Sequence, residues 1–451
     1  MKGGVRRAFA AERGVVMLSR DEARNLVDRI SKMSKSPEMS VNLRWEQECN
    51  TRFANNQITT AGFTSDLRLD ISVTLGHKTG STSTTETSDD GLSRAVQHAE
   101  ELAALTPEDP EYVVPLGPQN YPEIAAFDEA TAGARSAQLL PALRSSIEAA
   151  TREKLNASGF FEVNTVAAAI ANKRGLFGYT QRTWADYSVT ARTLDGTGSG
   201  WADSQSPRLA EVDGARVNSV AVRKALESQK PRRLEPGKYT VILEPAALDE
   251  MLMFMSFGMD ARAADEGRSF LSKRGGGTLL GEKVFGENIT LRSDPFDLRV
   301  PGFPWSGELP AEKTTWVEKG VVKAMRRDRY WAEKTQTKPV PFPSNVIMEG
   351  GSATLEELIA STPRGLLVTH FWYIRFLQPD TVQLTGLTRD GLFFIEEGKI
   401  QYPVNNFRFN QSVVEMLKQV EGMTVPMPVN NNRLPAIKVR DFYMSSLSDA
   451  I

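Results

Sequence analysis

Residues 69–84, LDISVTLGHKTGSTST, recur in outline at residues 185–200, ADYSVTARTLDGTGSG, with Asp70 matching Asp186 and Gly80 matching Gly196. Both stretches alternate apolar and polar residues and then reach a glycine-bearing turn, the pattern of a half-buried strand entering a hairpin. The flanks repeat too. FANNQ near 53 parallels IANKR near 170 with one residue of slippage. A helix precedes each unit (19–34 and 136–153) and another follows (91–105 and 214–227). Shared order and spacing point to an internal duplication. The expectation is an N-terminal α/β domain over 15–230, built of two similar units, about 15–115 and 130–230. Its first helix is marked by Ser19 and Glu22, a capping box, followed by Ala23, Leu26, Val27 and Ile30 on one face.

Beyond the duplicated region the texture changes. SQKPRRLEPGK, from 228, is charged, proline-bearing and non-periodic, and reads as a linker. Strand-like runs follow: YTVILEP, KVFGENITLRSD, GLLVTHFWYIRFLQ, DTVQLTGLTRDGLFFIEEGKIQYPV and AIKVRDFYM. Turns such as TRDG and EEGK offer a glycine for positive φ. One helix interrupts, where Thr354 and Glu357 make a second capping box. The reading is an α+β protein with a C-terminal, mostly antiparallel β domain over 237–451.

Bulk composition narrows the function. A chain of 451 residues needs more than one core. Fifty-four basic residues against 56 acidic ones give a net charge of −2, without the basic excess of a general nucleic-acid binder. The lone Cys49 excludes an internal disulfide and a thiolate-rich zinc site, and reads as a strand residue. Lys2, Arg6 and Arg7 precede AFAAERGVVML, which Glu12 and Arg13 break before a signal-like core forms. GLLVTHFWYI falls well short of the roughly 20 residues of a membrane span. A cytoplasmic protein, binding neither nucleic acid nor membrane, is expected.

LEPAALDEMLMFMSFG, residues 243–258, begins like the entry to an active-site helix: a strand runs into Pro245, which suits a first helical turn. Several further stretches stand in a recognisable order: DEGRSFLSKR, LLGEKVFGENITLRSDP, PWSGELPAEKTTWVEKGVVKAMRRDRYWAEK, NVIMEGGSATLEELIAST and LTGLTRDGLFFIEEGKIQYPVNNFRF. With TRFANNQI and GSGWA before them, the chain from 18 to 447 resembles the TldD/PmbA family. The resemblance implies that a TldD-like subunit carries HExxxH on the helix after the first strand of the C-terminal domain, with a later cysteine, and binds zinc. TldE-like subunits share the fold, lack the ligands and pair with the TldD-like subunit. Here the motif would fall within MLMFMSFG, 251–258, which holds no histidine, and VEGMTVPMPVNNNRLPAIKVRDF holds no cysteine. The helix, apolar on every side, reads as buried.

Other candidates are weak. His370 lies in VTHFWYIRF, where alternation puts it on a face with Trp372 and Ile374, as a core or groove residue rather than a catalytic base. His77 reads as a turn residue and His98 as a solvated helix residue. MDARAADEGRSF gathers Asp260, Arg262, Asp265, Glu266 and Arg268. These read as an ion-paired helix end; a sharper reading has them, with His370, line a peptide groove through Arg–carboxylate pairing. GTGSG at 196–200 lacks the lysine of a phosphate loop and reads as a hairpin. No catalytic or metal residue is assigned. The expected role is a non-catalytic, TldE-like subunit of a metallopeptidase acting on small or unfolded peptides. Zinc is expected only in a TldD-like, HExxxH-bearing partner, and a homodimer when the chain is alone. The alternatives are a self-sufficient hydrolase with a replaced site, and a non-enzymatic modulator or scaffold.

Overall fold

The computed structural model describes residues 17–448; the signal-peptide reading of the first 16 residues and the chain's last three residues lie outside them. The fold is mixed α+β. Helix α1 (Arg20–Met33) starts at the Ser19–Glu22 capping box and buries Ala23, Leu26, Val27 and Ile30. Strands β1 (Glu38–Ala54), β2 (Gln57–Leu75) and β3 (Lys78–Thr84) follow, then α2 (Asp89–Leu105). After a long connection the plan repeats, with α3 (Ser136–Arg152), β4 (Leu155–Asn172), β5 (Phe177–Thr193), β6 (Ser199–Ser206) and α4 (Gly214–Glu227). The six strands make one antiparallel sheet, ordered β3-β2-β1-β4-β5-β6. Because β1 and β4 run antiparallel at its centre, the two units are related by a local twofold between them. All four helices cover one face, and the other face carries charged and polar side chains together with an apolar patch of Val166, Ala168 and Ile170 beneath Trp305.

The structure corrects one detail of the repeat. Gly80 is matched by Gly200 rather than Gly196. Gly80 stands opposite Val73 and lies against α2, where a Cβ would run into backbone atoms of Ala99 and Ala103. Gly200 stands opposite Ala191 and meets Ala221 and Ala225 of α4 in the same way. Gly196 instead occupies the β5–β6 turn at φ +72°, so GTGSG is a hairpin as read. A longer second turn hid this register in the sequence.

Strand β7 (Gly237–Leu243) opens the second half and leads into α5 (Pro245–Gly258) and the short α6 (Ala261–Asp265). Strands β8 (Arg364–Gln378), β9 (Gln383–Glu396), β10 (Phe407–Ser412) and β13 (Ile437–Leu447) join β7 in a closed ring, with the small hairpin β11 (Met427–Val429) and β12 (Asn432–Leu434) alongside. Only the β7–β8 contact in the ring is parallel. Its core is aromatic and aliphatic, with Phe371, Phe407, Phe409 and Phe442 fully buried beside Leu248 and Met251 of α5. No helix among the described residues is long and apolar enough to cross a membrane.

Gly80→Val should lower stability by about 2–3 kcal/mol, because the side chain can fit only if α2 moves off the sheet. Thermal and urea unfolding of the variant measure it.

Candidate functional site

Helix α5 is less buried than its composition suggests. Ala247, Leu248, Met251, Leu252 and Met255 enter the core, whereas Met253 is 50% and Phe257 56% exposed. The expectation of all-round burial is therefore wrong. The apolar stripe left outside joins β8 through the edge-to-face contact of Phe254 with Phe376, and β8 adds exposed Trp372, Tyr373 and Leu377. The alternation read for β8 also fails. A bulge between Trp372 and Arg375, with Tyr373 at φ +58°, buries Phe371 and Ile374 and leaves Trp372 and Tyr373 both outside.

The two segments that the resemblance marks for metal ligands do meet. The β11–β12 turn, with Asn430 and Asn431 at positive φ, packs on α5. Asn430 and Asn432 donate their side-chain amides to the buried carboxylate of Asp249, at 2.8 and 2.7 Å. Asn431 ties the same turn to the polar sheet face, donating its backbone N–H to Gln205 and accepting from Arg182. Zinc is held by imidazole, thiolate or free carboxylate. This junction offers amides and a carboxylate already committed to them, so its residues do not fit that metal.

Around this clamp runs a row of carboxyls on the open sheet face and the adjoining helix. Burial, and then the charges of Asp203 and Glu162, push Asp186 up to about 7. Burial raises Asp203 and Glu162 as well. On α5, burial takes Asp249 up to about 6 against the pull of its two amides, and burial plus Asp249 take Glu250 up to about 8. Sequence reading missed this row because Asp186 and Asp203 take the polar positions of alternating strands, where a carboxylate looks like an ordinary solvated residue.

A second polar link crosses between the halves. The buried Lys224 ammonium of α4 donates to both carboxylate oxygens of Glu244, at 2.7 and 2.8 Å, and to Thr369. Beside it, Ser199 donates to Asp390, and His370 Nε2 lies 3.4 Å from the same carboxylate. The imidazole packs on Trp201 at 4.9 Å, and its Nδ1 is buried without a partner. Burial drives His370 down to about 4 despite Asp390, so the ring is neutral near pH 7. A group titrating so far below neutrality is poorly matched to acid–base work there.

The acidic and basic residues of 260–268 pair locally. Asp260 caps α6 and binds Arg326; Arg262 forks onto Glu111 at 2.7 Å and also meets Glu266; Asp265 accepts from the Trp331 indole; Arg268 pairs with Glu266. None of these bonds involves His370, so the six candidate groove residues are not joined into one polar network. His77 stacks on Tyr112 at a turn, His98 is exposed on α2, and Cys49 is buried in β1 with its thiol raised by burial.

An open antiparallel sheet of two similar units, joined to a closed β ring whose entry helix meets an asparagine turn, defines a two-part α+β class of protein. Residues 236–446 match the C-terminal domain of PmbA/TldA metallopeptidases, and residues 41–103 match domain 1 of the same proteins. The chain belongs to the PmbA/TldD family. It is 22% identical over 409 residues to the metalloprotease PmbA of Escherichia coli O157:H7, covering 86% of this chain and 87% of that one. A metalloprotease of Methanothermobacter thermautotrophicus is 26% identical over 226 residues; the chain spans about half of that relative, 47% of each being aligned. The fold is similar to that of TldE from Thermococcus kodakarensis, with TM-score 0.83 and 20% identity over 93% of this chain and 99% of that one.

Two outcomes follow from this geometry. Met253→Asp should change the stability of the monomer, measured at a dilution where it does not self-associate, by no more than about 0.5 kcal/mol, whereas Met251→Asp, in the core, should cost several. Thermal unfolding compares them. The raised carboxyls keep their protons when folded at a pH where the unfolded chain, titrating near pH 4, has lost them. Their contribution to stability is thus greatest below that range and falls as pH rises toward about 8, the value for Glu250. Glu250→Gln should flatten that fall, measured by urea unfolding from pH 5 to pH 9.

Proposed function

We propose that this chain is the non-catalytic, TldE-like subunit of a TldD/TldE-type metallopeptidase that acts on small or unfolded peptides. The observation that carries the reading is the α5–turn junction. It keeps the meeting of helix and C-terminal segment but fastens it with Asp249, Asn430 and Asn432. A subunit relieved of holding metal can fill that position with a rigid amide–carboxylate clamp. The zinc then belongs to an HExxxH-bearing, TldD-like partner, and this chain completes the peptide chamber.

The stripe of Met253, Phe257, Trp372, Tyr373 and Leu377 supports pairing, since exposed apolar patches of this kind mark contact surfaces. Subunits of one fold should meet about a pseudo-twofold, burying on the order of 2,000 Å² for a permanent pair. Purified alone, the chain satisfies the same surface as a homodimer.

Co-expression with the HExxxH-bearing homologue from the same organism tests this. The complex should cleave unstructured peptides, while this chain alone should be inactive and hold no stoichiometric zinc after dialysis. About one zinc per isolated chain, or peptidase activity from it, would overturn the assignment. His370→Ala in the complex should leave most activity intact; a loss of a hundredfold or more with folding preserved would instead make this chain an enzyme.

A further inference from the structure

The local twofold makes the two halves of the N-terminal sheet comparable residue by residue, and their outer edges differ. In the second unit, β6 pairs only with Ala185–Arg192 of β5, leaving the first half of β5 without a strand neighbour on that side. The chain covers part of that edge itself, around Thr183. Extended residues before the helical turn Glu129–Ala132 lie along it: Thr183 donates its backbone N–H to Ala126 O at 2.9 Å, and Asp128 N–H donates to Thr183 Oγ1 at 3.0 Å. Tyr121 lies so close over Gly178 that a Cβ there would be 2.8 Å from its ring.

In the first unit, β3 likewise pairs only with Leu69–Leu75 of β2. Residues 57–68 form the matching edge, and no strand covers it among the described residues. Ile58 and Phe63 are exposed, Phe63 with the Arg135 guanidinium 4.6 Å from its ring centroid, and residues 57–65, QITTAGFTS, carry no charge or proline to block an edge. The counterpart of Thr183 is Ser65: Ser65 stands opposite Gln47 as Thr183 stands opposite Thr165, in the register set by Gly80 and Gly200. The Thr183 hydroxyl accepts from Asp128 N–H of the covering segment and donates to Pro207 O, while the Ser65 hydroxyl oxygen is buried without a hydrogen-bond partner.

We infer that the β2 edge, residues 57–68, is a docking site for an extended peptide, which adds alongside β2 as residues 121–128 lie alongside β5, with Ser65 taking the place of Thr183. Main-chain bonding gives affinity with little sequence preference. A peptide fits better than a second copy of the chain, because one added strand satisfies the edge whereas a lone strand pair is small for a stable protein dimer. The inference stands apart from the paired-subunit reading, since it concerns this chain alone and needs no metal.

The probe is a fluorescein-labelled peptide with the sequence of residues 119–128, QNYPEIAAFD, the stretch that partly covers the matching edge. Saturable binding to the full chain is expected by fluorescence anisotropy, with amide exchange slowed across 57–68 and unchanged across 177–184. Ser65→Ala should weaken binding about fivefold, the worth of one hydrogen bond. Ser65→Pro removes an outward N–H that an edge strand can spare, and should weaken it at least tenfold. The exchange measurement on the unsubstituted chain decides the matter even if the proline variant misfolds. No saturable binding, protection confined to another region, or protection of 57–68 that rises with protein concentration without peptide would each overturn the proposal, the last in favour of a second copy.

Discussion

Everything in the N-terminal half depends on the antiparallel pairing of β1 with β4, which runs unbroken from Ser40–Asn172 to Phe53–Gly159. Neither unit buries its apolar face alone to advantage, because each brings only three strands and two helices. Joined back to back, the units share one sheet with a continuous covered face. Two core clusters form beneath the helix pairs, one around Leu26, Ile30 and Ile71, the other around Leu143, Phe161 and Tyr187. The twofold also fixes where the rest of the chain can go. It leaves a single polar face, and the second unit's part of that face receives the closed ring through Trp201, Gln205 and Arg182.

Much of this was legible in the sequence. Helix starts were announced by hydroxyl caps with a glutamate three residues on, and strands by alternation, since local propensity and tertiary burial agree there. The duplication could be read because both units solve the same packing problem with the same alternation and the same glycine against a helix. Its register could not, since Gly196 and Gly200 lie close in sequence and only the contact with α4 distinguishes them. The exposed side of α5 was hidden for a related reason: Met253 and Phe257 have the chemistry of core residues, and sequence does not record an unoccupied neighbour.

The site was legible mainly by subtraction. Absent imidazoles and the absent late cysteine could be counted along the chain, but what replaced them could not. Asp249 looks like an ordinary helix acid and Asn430–Asn432 like an ordinary polar turn; their partnership spans about 180 residues of sequence and exists only after the ring closes. The groups at 260–268, prominent as a sequence cluster, pair with one another and with Glu111, Arg326 and Trp331, while Lys224, Glu244, Ser199 and Asp390, scattered among unremarkable neighbours, form a buried polar contact between the halves.

The Lys224–Glu244 pair limits how independently the two halves can change. A buried ammonium left without its carboxylate is far more costly than the pair itself. Lys224 belongs to the duplicated unit and Glu244 to the entry of α5, on opposite sides of the 228–237 linker. At the matching place on α2, against Gly80, the first unit carries the apolar Leu102, so this lysine is a device of the second copy. A chimaera exchanging one half for that of a distant relative would inherit half of an ion pair. The two residues must therefore travel together, and divergence across this junction is a matter of compensated change rather than free drift.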